Sequence, residues 1–112
     1  MGAKRKLHLI FLALFAFTIF GCSNVASNVQ ADLDTDPRLS EKGITAKVIA
    51  IDNGYATIKV SGFSERTSQM LNEGNRPGEI AFFFDSSASV LASAEKVIMQ
   101  RPEVKAVIWK AD

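Results

Sequence analysis

The chain has 112 residues, 47% of them hydrophobic and 22% charged, a balance that suits one small globular domain and excludes both a second domain and a disordered charged tail. The charge is unevenly placed: the first 22 residues hold Lys4, Arg5 and Lys6, the single His8 and the single Cys22, and no acidic residue. With those three bases set aside, ten bases face twelve acids, a net charge of −2 with no concentrated basic stripe, which argues against a nucleic-acid partner.

Met1 to Lys6 is a short cationic stretch, and Leu7 to Phe20 is a run of fourteen residues with no charge apart from His8. A bilayer-spanning helix needs about 20 apolar residues, so the run fits the hydrophobic part of a secretory signal better than a permanent anchor. It ends in Ile19-Phe20-Gly21-Cys22, which resembles the lipobox of bacterial lipoproteins: an aliphatic residue, then a small residue directly before the Cys. Phe20 departs from that family, which places a small or compact residue there.

The resemblance implies that residues 1–21 are a signal peptide, that Cys22 is acylated, and that lipid on Cys22 holds the protein to a membrane. Ser23 stands where that family uses Asp for inner-membrane retention, which implies the outer membrane. A cut by ordinary signal peptidase after Val29-Gln30-Ala31 would fall far beyond the apolar run, and the Met-Gly start lacks the Ser or Thr that myristoylation wants at Lys6. A single Cys excludes an intramolecular disulfide.

Ser23 to Glu41 is rich in Ser, Asn and Asp and contains Pro37, so residues 22–42 are expected to be the lipidated Cys and a flexible tether with a reach of roughly 25 Å. Asp32, Asp34 and Asp36 imitate the start of a calcium loop, but Pro37 and Gly43 occupy the places of its Gly and Glu, so they read as a solvated linker without metal.

The folded domain is expected over residues 43–112. Ile44 to Ile51 and Tyr55 to Gly62 are β-branched runs flanking Asn53-Gly54, the strongest short hairpin signal. A two-residue turn pairs Ile51 with Ala56, Ala50 with Thr57 and Ile49 with Ile58, and puts Ile49, Ile51, Ala56, Ile58 and Val60 on one buried face. Ser64 is expected to cap a short helix, Glu65 to Asn72, stopped by Gly74. Glu79 to Phe84 (EIAFFF) lacks alternation and reads as a central strand whose Phe82, Phe83 and Phe84 are core. Asp85 or Ser86 caps a helix from about Ser87 to Gln100, and Val104 to Lys110 is a last strand, parallel to Glu79–Phe84 through a crossover. The expected architecture is α+β, a two-layer sandwich with a four-stranded mixed sheet and two helices in the order β-β-α-β-α-β.

Removal of residues 1–21 and acylation of Cys22 leave no His and no free thiol, which eliminates Ser-His-Asp and Cys-His catalysis and His- or Cys-based metal sites. Ser93-Ala-Glu-Lys96 matches a Ser-x-x-Lys motif only in mid-helix, with its companion motifs missing, and no glycine-rich phosphate loop occurs. The chain therefore reads as a non-enzyme without cofactor. Trp109, beside Ile108 and Lys110 near the carboxy terminus, is the candidate anchor of a partner-binding edge comprising Val107, Trp109 and Lys110. Asp85 to Trp109, a capped helix leading to a valine-bracketed strand, is similar to the second half of a BON domain, a module of envelope proteins. The expected function is a binding or assembly module of the cell envelope, in an envelope complex, a secretion or conjugation apparatus, or surface exclusion. The alternative is an envelope inhibitor of a hydrolase.

Overall fold

The computed structural model describes residues 25–112. They form an α+β domain with a three-stranded mixed sheet. Residues 25–34 are a helix, α1, followed by α2 (Pro37–Glu41), β1 (Thr45–Asp52), β2 (Tyr55–Ser61), α3 (Glu65–Asn72), α4 (Pro77–Phe83), a 3-10 turn (Ser86–Ala88), α5 (Ser89–Ile98) and β3 (Ala106–Ala111). The strand order is β1-β2-β3, antiparallel between β1 and β2 and parallel between β2 and β3.

The hairpin forms as its turn residues dictate. Asn53 and Gly54 both have positive φ, 52° and 85°, as a type I′ turn requires. Ile51 pairs with Ala56 and Ala50 with Thr57, and there the simple register ends. A bulge at Ile49 shifts the ladder by one residue, so Val48 opposes Ile58 and Lys47 opposes Lys59. Because side chains alternate with period two, the shift exchanges the faces of β1: Ala46 and Val48 turn to the core, and Ile49, expected inside, is 55% exposed. At the far end Gly62, at φ 109°, passes so close to Gly43 that a Cβ there would lie 2.5 Å from the Gly43 carbonyl oxygen, which excludes any larger residue.

The flexible tether expected over residues 22–42 is corrected from residue 25 onward. Val29 and Leu33 of α1 and Leu39 of α2 are buried members of the core, so the domain extends well ahead of residue 43. Polar groups fasten the same segment. The Gln30 amide donates to the Ala46 carbonyl (2.9 Å) and accepts from the Val48 amide (2.8 Å), gripping the outer edge of β1 at the start of the bulge. Asp32 receives two bonds from the Arg101 guanidinium (2.8 and 3.0 Å), which ties α1 to the loop between α5 and β3. Asp34 accepts from Gln30, and Asp36 caps α2 and pairs with Arg38. The three acids of the apparent calcium run thus have three separate partners.

The fourth strand is also corrected. Glu79–Phe83 lies in α4, with Phe84 as its C-cap; the helix starts with Pro at its first position and carries Glu79 in its first turn, both favourable there. β2 has β1 on one side and β3 on the other, and the segment joins the helical layer as α4. As a helix it buries Pro77 and Ile80 and leaves all three phenylalanines exposed, contrary to the expected core role. β3 pairs parallel with β2 instead, Trp109 opposite Ile58. The expected cap by Ser64 on α3 and the cap by Asp85 ahead of α5 are both present.

Truncation tests the placement of α1. Leu33→Ala should cost about 2 to 5 kcal/mol in urea unfolding, and Gln30→Ala about 1 to 3 kcal/mol through the lost edge bonds. A tether would make both changes neutral.

Candidate functional site

β3 is an edge strand, as its candidate role requires, but its residues divide between two faces. Val107, Trp109 and Ala111 stand on the core side, level with Ala56, Ile58 and Val60. Ile108 and Lys110 stand on the other side and are exposed. Trp109 is only 5% accessible, and its indole Nε1 donates to Glu95 Oε1 of α5 at 3.0 Å. The second Glu95 oxygen accepts from Arg76 Nη2 at 3.1 Å. Trp109, Glu95 and Arg76 form one wall of a cleft of about 260 Å³, with Val107 and Lys110 also lining it. The structure therefore brings the three predicted residues to one cleft, with Trp109 buried and Lys110 exposed.

Chemically, this arrangement organises the cleft. Both Glu95 oxygens have a donor, so the carboxylate orients the indole and the guanidinium rather than standing free as a base. The edge of β3 is partly closed as well. Asn72, the last residue of α3, accepts from the Ala111 amide (2.9 Å) and donates to its carbonyl (3.0 Å), occupying the strand terminus as a neighbouring strand would.

A second polar chain runs between α3 and the start of α5. Ser64 donates to Thr67, which is buried and donates onward to Asp85 Oδ2 at 2.7 Å. The Ser87 hydroxyl and amide both donate to Asp85 Oδ1, at 2.6 and 3.0 Å. The Ser87 hydroxyl, and then that of Thr67, hold the Asp85 carboxyl below the ordinary range. Asp36 is lowered likewise, chiefly by the Arg38 side chain that bonds it. Glu79 stands in the first turn of α4 and Asp85 caps the 3-10 turn that leads into α5.

Two surface features escaped the sequence reading. The open face of the sheet carries Lys47, Lys59 and Lys110 side by side across three strands, although they are scattered in the sequence. Lys59 is paired with Asp112 at 2.7 Å. Only the bulge at Ile49 brings Lys47 opposite Lys59, so no linear signal announced this row. The second feature is the phenylalanine triplet. Phe82, Phe83 and Phe84 are 83%, 69% and 60% exposed, the Phe82 and Phe83 rings meet edge to face at 4.9 Å, and the Arg66 guanidinium lies 5.6 Å from the Phe84 ring centre. Here the linear signal is plain, and the structure turns the three rings to the surface instead of the interior.

Cys22 lies outside the described residues. Among those residues there is no group of three or more His, Cys, Asp or Glu able to hold a metal ion, and no helix long and apolar enough to cross a membrane. Comparison with protein-family models, with curated proteins and with solved structures finds no match to this chain.

Two measurements check the geometry. Trp109→Ala should destabilise the domain by about 3 to 5 kcal/mol in thermal or urea unfolding, as expected for a buried Trp. An unchanged midpoint would return Trp109 to the surface. Asp85→Asn should cost about 1 kcal/mol at neutral pH. Asp85 is lowered in the folded state, so its contribution is complete above the ordinary carboxylate value of about 4 and fades as pH falls through the folded-state value. The two proteins should therefore converge in stability at acid pH, and a gap that widens there would contradict the assignment.

Proposed function

We propose that this protein is a small outer-membrane lipoprotein, anchored through acylated Cys22, that serves as a non-catalytic binding or assembly module of the cell envelope. The observation that carries the reading is the tetrapeptide Ile19-Phe20-Gly21-Cys22 at the end of the apolar run Leu7–Phe20, behind the cationic start. Each buried methylene of an acyl chain contributes about 0.8 kcal/mol, so two or three chains on one residue give an effectively permanent anchor.

Several features of the described residues are consistent with binding rather than turnover. Their polar side chains serve mainly as caps, edge clamps and ion pairs: Asp36 and Asp85 cap helices, Gln30 and Asn72 hold strand edges, and Glu95 orients Trp109. The cleft beside β3, with Val107, Trp109 and Lys110, is the proposed contact for an envelope protein partner.

Intact mass of protein extracted from membranes should show loss of residues 1–21 and added acyl chains. Cys22→Ala should release the protein from the outer-membrane fraction, and complete retention of that variant would sink the anchor. Crosslinking in intact cells should capture a stable envelope partner, whereas capture of a foreign hydrolase would favour an inhibitor.

A further inference from the structure

We infer that Phe82, Phe83 and Phe84 form a wedge that inserts into the phospholipid surface to which the protein is anchored. The inference rests on the reading of Cys22 as the lipid-bearing residue and adds a second, non-covalent contact that fixes which side of the domain lies against the bilayer.

The first support is the length of chain available. Residue 25 is already in α1, and α1 is locked to the sheet by Gln30 and to the α5–β3 loop by Asp32. Three residues from Cys22 to residue 25 span at most about 11 Å, so an anchored domain has no tether to stand clear of the headgroups. Some surface of it must rest there.

The second support is the kind of surface that α4 presents. Three exposed phenylalanines in succession form a concentrated apolar patch, and phenylalanine brings no polar atom that water would satisfy. Their spacing argues for a fluid occupant. A protein groove takes a helix through side chains at i, i+3 and i+4, which share a face. Here Phe82 and Phe83 are consecutive, about 100° apart around the helix axis, with ring planes 81° apart, and Phe84 is the residue at which the helix ends. Rings fanned in this way do not enter one groove, whereas acyl chains solvate them from every side. Arg66, over the Phe84 ring, is placed to keep its guanidinium at headgroup level while its stem follows the wedge.

The open sheet face is the competing surface. It also carries exposed apolar residues, Ile49, Tyr55 and Ile108, but Lys47, Lys59 and Lys110 cross it, and lysine ammonium groups are suited to a headgroup plane and not to insertion.

The test places a tryptophan on each surface of the full chain, Phe83→Trp in one protein and Tyr55→Trp in another. Both are reconstituted in vesicles of phosphatidylethanolamine and phosphatidylglycerol carrying doxyl-labelled lipid, with Trp109 of the parent as the buried reference. The expected result is a blue shift and strong loss of emission from Phe83→Trp and no loss from Tyr55→Trp, with Phe82→Trp following Phe83→Trp. Quenching of Tyr55→Trp alone would overturn the inference in favour of the sheet face. Unquenched Phe83→Trp in vesicles would also overturn it, and shielding of that residue from aqueous iodide only in native envelopes would assign the patch to a protein. Intact mass on the same samples separates the two readings. Acylated protein with Phe83→Trp unquenched loses the wedge and keeps the anchor, while unacylated protein with Phe83→Trp quenched loses the anchor and keeps the wedge.

Discussion

A three-stranded sheet has two open edges, and here each is held by one side-chain amide. Gln30 grips the outer edge of β1 at Ala46 and Val48, and Asn72 grips the end of β3 at Ala111. An uncovered strand edge is a template for pairing with another chain, so these contacts protect the sheet as well as fasten it. The Gln30 contact has the wider consequences. It requires α1 to lie along β1, which brings Val29 and Leu33 into the core, and the Asp32–Arg101 pair then fixes the opposite side of α1. A core that would be thin over residues 43–112 is completed by residues that look like a linker.

The bulge at Ile49 belongs to the same arrangement. One additional residue in β1 exchanges its faces, sends Ile49 to solvent and delivers Ala46 and Val48 to the core side next to the Gln30 clamp. On the open face it aligns Lys47 with Lys59, and parallel pairing of β3 adds Lys110. A single local irregularity therefore changes both the interior and the charge pattern of the exterior. Like charges directly opposite one another across strands are unfavourable, and Asp112 pairs with Lys59, the middle member of the row.

With β2 paired on both sides, the segment from Pro77 to Phe84 is left to the helical layer. Its roughly two turns bury Ile80 and eject the phenylalanines, while α5 supplies Leu91, Ala94 and Ile98 to the interior and Glu95 to the Trp109 cleft. The interior and the exposed aromatic patch thus have a common origin: the sheet is complete at three strands. Trp109, a packed residue with a satisfied indole, supports the cleft from beneath, and the most apolar accessible surface belongs to α4.

Local signals were legible wherever the chemistry acts over a few residues. Asn53-Gly54 determined the turn because its two positive φ angles need those residue types. Ser64 and Asp85 marked helix starts because short polar side chains satisfy free amides there. Val90, Ala94, Val97 and Ile98, with Leu91 beside them, announced α5 by their spacing, although Val97 is exposed in the structure, and the apolar run before Cys22 supports an anchor reading through a tetrapeptide that needs no fold. What tertiary structure alone decided depends on contacts between distant segments. Residues 25–41 are polar enough to read as a tether, and they fold because Val29, Leu33 and Leu39 meet a core made elsewhere and because Gln30 finds a strand edge. Glu79–Phe84 has the composition of a strand, but Pro77 at the first helical position and Glu79 in the first turn suit a helix, and burial of Ile80 against the core settles it as α4. The register of β1 turns on one bulge that no alternation in the sequence reveals, since both Val48 and Ile49 can fill the same buried position and the Gln30 clamp lies nineteen residues before Ile49.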